Sequence, residues 1–309
     1  SLLFWSFGFL RMGTVGLVSQ SYGKSDYREL VKIISRNLII AFGISIFIIL
    51  LQFPILFLVD LFFQTSYETN ILIGKYISIR VYSAPAELII YVLVGFYLGL
   101  QKTKISSFFI SLFSIFNILL SLYLVVQLNL EITGVVLGTL ISAYITVIIF
   151  LIYTYFFITK NFKIIPRFQK LIVRKKLFKL LNINFDIFIR TLFLTFAFLW
   201  LNYQGSKLGD DYLAINAILM QFIILASFLL DAFAFSTEGV VGFSIGRKAK
   251  NSFLQVAKNA FELSFFTSLI ISLLYIIFFK FIVNSITNLD SLRFLAYGYI
   301  FWIIIIPPI

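Results

Sequence analysis

Long apolar runs separated by short polar segments dominate the chain, and their lengths set its architecture. About 20 consecutive, mostly apolar residues suffice to cross a bilayer as a helix. Such runs fall at Ser1–Tyr22, Asn37–Phe62, Ile73–Leu100, Ile105–Leu128, Ile132–Ile158, Ile183–Ser206, Tyr212–Gly246, Phe261–Phe281 and Arg293 to the end. They are too long and too uniformly apolar for barrel strands, so the pattern predicts an all-α integral membrane protein.

The polar segments alternate in charge. Lys24, Arg28, Lys32 and Arg36 follow the first run, and Lys102 and Lys104 follow the third. Eight basic residues and no acidic ones lie from Lys160 to Lys179, and Arg247, Lys248, Lys250 and Lys258 follow the seventh run. The intervening connections carry Asp60 and Glu68, Glu131, Asp210 and Asp211, and Asp290. Basic loops favour the cytoplasmic side, so the alternation predicts a multi-pass protein of a bacterial inner membrane with its Lys/Arg-rich loops inside.

The pattern also repeats. An offset of 223 residues carries Thr14, Gly16, Val18, Ser21, Gly23 and Lys24 onto Thr237, Gly239, Val241, Ser244, Gly246 and Arg247. The same offset carries Tyr76, Ile77 and Pro85 onto Tyr299, Ile300 and Pro308. One offset serving two separated segments points to internal duplication. A period holding six spans returns the chain to the same side, which predicts two parallel-repeat six-helix lobes about an axis along the membrane normal. The expected division is an N-terminal lobe over 1–159, a basic cytoplasmic linker over 160–182 and a C-terminal lobe over 183–309. Both ends lie inside apolar runs, and the chain is expected to hold roughly helices 2 to 10 of about twelve. Within the linker, Phe168, Leu171, Ile172, Phe178 and Leu181 can form an apolar stripe with basic flanks, as an interfacial helix would, although a simple charged tether between lobes is the favoured reading.

Composition narrows the chemistry. Of 309 residues, 61% are hydrophobic and 12% charged, and the net charge is +12. In a soluble protein that charge would suggest nucleic acid; here it belongs to membrane topology, and no nucleic-acid partner is expected. Neither Cys nor His occurs. Disulfides, thiol chemistry, zinc sites and Ser-His-Asp hydrolysis are therefore unavailable to these residues, and an enzyme is not expected. No nucleotide-binding Gly-rich loop is present, so active transport would draw on an ion gradient, with no cofactor beyond a coupling proton or sodium ion.

Charged groups inside the spans are the functional candidates, since each costs about 2.5–3.5 kcal/mol at a helix centre on insertion scales. Asp186 and Arg190 share a helix face, as do Asp231 and Glu238. At 1.5 Å per residue, Glu238 and Asp231 lie about 13 and 24 Å from Arg247, with Asp186 and Arg190 at about 10 and 16 Å beyond Lys179. Arg190 is expected to meet Asp186 and Glu238 at one level, leaving Asp231 as the less neutralised, titrating or cation-attracting group. A salt-bridge cluster fixing helix packing is the competing reading. The first lobe has Arg11 in its opening span and Glu87 just after Pro85, where proline loosens the helix ladder into a hinge or a packed kink. Gly95/Gly99, Gly134/Gly138 and Gly239/Gly242/Gly246 are spaced for close helix packing. Aromatic side chains such as Trp200, Tyr203 and Trp302 either line a cavity for flat lipophilic cations or face lipid.

The segment Phe9-Leu10-Arg11-Met12-Gly13-Thr14-Val15-Gly16-Leu17-Val18-Ser19-Gln20-Ser21-Tyr22-Gly23 resembles the DinF-like branch of the multidrug and toxic compound extrusion (MATE) family. The likeness continues at Ser83-Ala84-Pro85, Asn182–Thr191, Ala214–Met220 and Leu230–Glu238. It implies antiport of organic cations or drugs against protons or sodium, by rocking of two lobes in membrane lipid, with the protein working as a monomer. Asn117 looks like the family's fifth-helix asparagine of the N-lobe cation site, and Ser121 stands where the family often has an acid. Two other readings compete. A lipid-linked oligosaccharide flippase would want a strongly cationic cavity, which Arg11, Arg80 and Arg190 alone do not suggest. A membrane-embedded transferase is weakened by the absence of His.

Overall fold

In the computed structural model, residues 4, 6–54, 56, 67–164 and 174–308 are described, and among them the only regular elements are helices. They are α1 (Phe9–Gly23), α2 (Tyr27–Leu50), α3 (Tyr67–Arg80), α4 (Ala84–Gly99), α5 (Thr103–Leu122), α6 (Glu131–Phe162), α7 (Arg174–Leu208), α8 (Asp210–Gly246), α9 (Lys250–Ile286), α10 (Asp290–Gly298) and α11 (Ile300–Ile305). Seven helical stretches among the described residues are long and apolar enough to span a membrane. The predicted all-α membrane class holds.

Several limits differ from the hydropathy reading. α2 begins at Tyr27 rather than Asn37, and α9 runs from Lys250 to Ile286 rather than Phe261 to Phe281. Polar, charged turns extend both helices beyond their apolar stretches, and a hydropathy window sees only the apolar part. Asp26 starts α2 in the usual way, its side chain accepting from the Glu29 N–H at 3.0 Å. The last run, expected as one span from Arg293, divides at Tyr299 into α10 and α11. Much of the basic linker, residues 165–173, lies outside the described residues, and α7 is continuous from Arg174. The basic residues Arg174–Lys179 therefore lead straight into the span.

The chain divides into two compact units, Ser1–Phe188 and Ile189–Ile309, with the division inside α7. In the first, Leu10, Val18, Leu30, Leu88, Val92 and Phe96 are fully buried where α1, α2 and α4 meet. Gly95 and Gly99 make that approach possible: a Cβ on Gly95 would stand 2.9 Å from Thr14 Cβ, and one on Gly99 equally close to Val18 Cβ. A second layer joins α4, α5 and α6, where Phe109 stacks on Phe150 at 3.9 Å and the buried Tyr97 hydroxyl donates to Thr154 Oγ1 at 3.2 Å. In the second unit Phe222, Tyr275, Phe279 and Val283 pack α8 on α9, and the Tyr275 hydroxyl donates to the Phe222 carbonyl at 2.6 Å.

The repeat is visible within each unit. The Asp26 N–H donates to Ser21 O at 3.0 Å between α1 and α2, and the Ala249 N–H donates to Ser244 O at 3.0 Å between α8 and α9. Thr14 Oγ1 donates to Leu10 O and Thr237 Oγ1 to Phe233 O, both at 2.6 Å. Ser45 Oγ donates to Phe42 O and Ser268 Oγ to Phe265 O, both at 2.7 Å. Each pair of bonds is separated by the same 223 residues, so the two units share local construction.

Candidate functional site

Three clusters bring together residues that the sequence singles out. The first lies in the second unit. A cleft of about 670 Å³ opens between α8, α9 and Pro307–Pro308, lined by both Asp231 and Glu238. Seven residues are nearly two turns, so the two carboxylates fall on one face of α8. Thr237 lies between them in sequence, Ser264 and Ser268 enter from α9, and Phe233, Phe261 and Phe265 supply apolar walls. The rings of Phe261 and Phe265 are nearly parallel, 6.3 Å between centroids. Among the described residues, none of those lining the cleft is basic. Acidic oxygens, hydroxyls and aromatic faces thus share one surface.

The same offset shows what is special about this surface. Thr237, Val241, Ser264 and Ser268 correspond to Thr14, Val18, Ala41 and Ser45, all fully buried in the first unit, and the start of α4 at Ala84–Pro85 corresponds to Pro307–Pro308 at the edge of the cleft. Asp231 and Glu238 correspond to Gly8 and Val15. Val15 is fully buried in the first unit, and the two acids belong to the second unit alone.

The second cluster lies between α5 and α6. Asn117 Oδ1 accepts from Ser121 Oγ at 3.1 Å and from Thr139 Oγ1 at 3.3 Å. Ser121 Oγ also reaches the Val135 carbonyl at 3.4 Å, and Gly138 packs directly on Ser121. Four oxygens thus meet across two helices with no carboxylate among them. Thr139 escaped the sequence reading; the Gly134/Gly138 spacing was its one signal, since the glycines bring its helix against Asn117.

The third is an ion pair. Glu87 bonds Arg80 in a two-pronged arrangement, Nη1 to Oε1 and Nη2 to Oε2, the latter at 3.1 Å. Glu87 was expected at a hinge, and the helix does break there: α3 ends at Arg80, Val81–Ser83 form a 3-10 turn, and Pro85 sits in the first turn of α4. Arg11 is half-buried on α1, and Asp186 and Arg190 lie one turn apart on exposed positions of α7.

Comparison with known proteins places this arrangement. The MatE family model matches residues 1–123 and 187–309. The chain belongs to the MatE family. The DNA damage-inducible protein F of Escherichia coli (strain K12) is 32% identical over 312 residues, covering 100% of this chain and 67% of that protein. Protein DETOXIFICATION 43 of Arabidopsis thaliana is 27% identical over 192 residues, covering 62% of this chain and 35% of that protein. Among solved structures, a MOP superfamily transporter from Pyrococcus furiosus superposes with a TM-score of 0.88 at 16% identity, covering 99% of this chain and 69% of that one. A MATE protein crystallised in complex with MaD5 gives a TM-score of 0.86 at 15% identity, covering 99% and 70%. At such identities the structures speak for the fold. Members of the MatE family are transporters, so this MatE chain is a multi-pass membrane transporter and not an enzyme.

Proposed function

We propose that this MatE protein is an efflux transporter that exchanges protons or sodium ions for organic cations or drugs, with Asp231 and Glu238 as its cation-attracting groups. The observation that carries the proposal is that both acids line one cleft with Thr237, Ser264 and Ser268. Carboxylates within a membrane span attract small cations, and binding of one changes the charge of α8. The Asn117–Ser121–Thr139 oxygens are a neutral cluster that would bind a bare cation only with help from other residues. The family resemblance favours rocking of two lobes and a bacterial inner-membrane setting, and the basic loops favour the orientation with Arg247 and Lys248 inside. An oligosaccharide flippase is not favoured, because the cleft is acidic rather than cationic.

The test is export of a fluorescent organic cation from proteoliposomes holding the full-length protein, under an imposed pH or sodium gradient. Gradient-dependent export supports the proposal, and identifies the ion. Equal fluorescence traces with and without either gradient refute it.

A further inference from the structure

The helix pair α3–α4 is one membrane-crossing stretch with a joint in its middle, and the two sides of that joint are held very differently. On one side, α4 is locked: Leu88, Val92, Leu93 and Phe96 are buried, and Gly95 and Gly99 bring its backbone onto α1 with no room for a single added carbon. On the other side, none of the α3 residues from Ile71 to Arg80 is fully buried. Between them the α ladder stops. Val81–Ser83 form a 3-10 turn, and Pro85 lacks the N–H that would continue the helix through it.

Besides the packing of α3 on α6, side chains span the joint itself. Arg80, the last residue of α3, reaches over the turn to Glu87 in the first turn of α4. Its guanidinium meets both carboxylate oxygens, donates to Ser83 Oγ at 2.6 Å, and lies 4.5 Å from the centroid of the Phe4 ring. Ser83 Oγ in turn donates to the Arg80 carbonyl at 2.7 Å. The pair is mostly enclosed, with side-chain exposures of 16% for Arg80 and 10% for Glu87. From α6, the Tyr144 hydroxyl donates to the Tyr82 carbonyl at 3.0 Å, satisfying an acceptor in the turn. The corresponding position in the second unit replaces Arg80 by Ile303, so the device belongs to the first unit alone.

We propose that Arg80 and Glu87 are a positioning pair: a clasp across a built-in joint that sets the angle of α3 on the immobile α4. A packing kink needs only Pro85 and apolar neighbours. A two-pronged Arg–carboxylate bond adds directional control, because its planar fork fixes orientation as well as distance. Breaking such a pair inside a membrane leaves an uncompensated charge, so the closed clasp is strongly favoured and holds one angle. The clasp is independent of which ion or substrate the transporter uses.

The test reads the angle directly. The chain has no cysteine, so spin labels at Lys75→Cys and Lys102→Cys report the distance across the joint in the full protein in lipid. The parent is expected to give one narrow distance distribution. Glu87→Gln is expected to broaden it at least twofold or add a second peak, and the exchanged pair Arg80→Glu with Glu87→Arg to restore the single peak. Arg80→Lys keeps the charge but loses the fork and is expected to broaden it also, which preserves the test if Glu87→Gln does not reach the membrane. Distributions unchanged from the parent in the variants that fold, with only a lowered melting temperature, would overturn the proposal and leave the pair a packing element.

Discussion

Ser25 and Lys248 stand 223 residues apart and hold the same strained backbone, with φ of 57° and 56°. Each follows a helix of the repeat and closes the same turn, with Ser25 N–H donating to Tyr22 O and Lys248 N–H to Ile245 O, both at 3.0 Å. A left-handed conformation in a residue with a Cβ costs about 1–2 kcal/mol, so its occurrence at both places reflects a shared requirement of the turn. Basic side chains flank both turns, Lys24 in one and Arg247 in the other.

Relieving that strain is measurable. Ser25→Gly and Lys248→Gly are each expected to stabilise the protein by up to about 1 kcal/mol, less the extra freedom glycine gains in the unfolded chain. Thermal unfolding in detergent reads the change. Equal destabilisation by both substitutions would show that the side chains matter more than the backbone.

Close packing makes a sharper contrast. Gly95→Ala would bring a carbon 2.5 Å from the Arg11 carbonyl, whereas Gly16 and Gly43 have nothing within 4 Å of an added Cβ. The first is expected to destabilise by about 1–3 kcal/mol. Gly16→Ala is expected to be neutral or to stabilise by about 0.5–1 kcal/mol, because it stiffens a helix interior without a clash. Unfolding midpoints of the two variants, compared side by side, check this.

The oxygen cluster of the first unit predicts an asymmetry between isosteric and apolar changes. Asn117→Leu removes the acceptor that Ser121 and Thr139 share, leaving each the Val135 carbonyl, and is expected to cost about 0.5–1.5 kcal/mol. Asn117→Asp keeps an acceptor and is expected to stay within about 1 kcal/mol of the parent in stability. Transport assays of Asn117→Asp under sodium would then show whether an added charge there strengthens sodium dependence.

The helical class, the positions of seven of the nine expected spans and the duplication were legible from the chain, because lipid leaves a helix as the only way to satisfy the backbone of an apolar run. The break before Pro85 was legible for the same reason: a missing N–H has no substitute in hydrocarbon. Helix ends were not. Tyr27–Arg36 and Lys250–Ala260 carry polar turns of α2 and α9 that hydropathy does not register as part of a span. Side-chain partners were legible only where they lie on one helix face. The spacing of Asp231 and Glu238 revealed a shared face, but the contribution of Ser264 and Phe261 from α9 depends on helix packing. Arg80 was likewise missed as the partner of Glu87, since the joint between them alters the helical geometry that spacing arguments assume.

The central claim, that Asp231 and Glu238 carry the coupling charge, is tested most directly by ion-driven export from proteoliposomes containing Asp231→Asn, Glu238→Gln or both. Amounts of folded protein must match the parent. The account predicts at least a tenfold loss of gradient-driven export and an altered ion dependence in one single variant, with the double variant inactive. Parental rates and an unchanged response to both gradients in the double variant would contradict it.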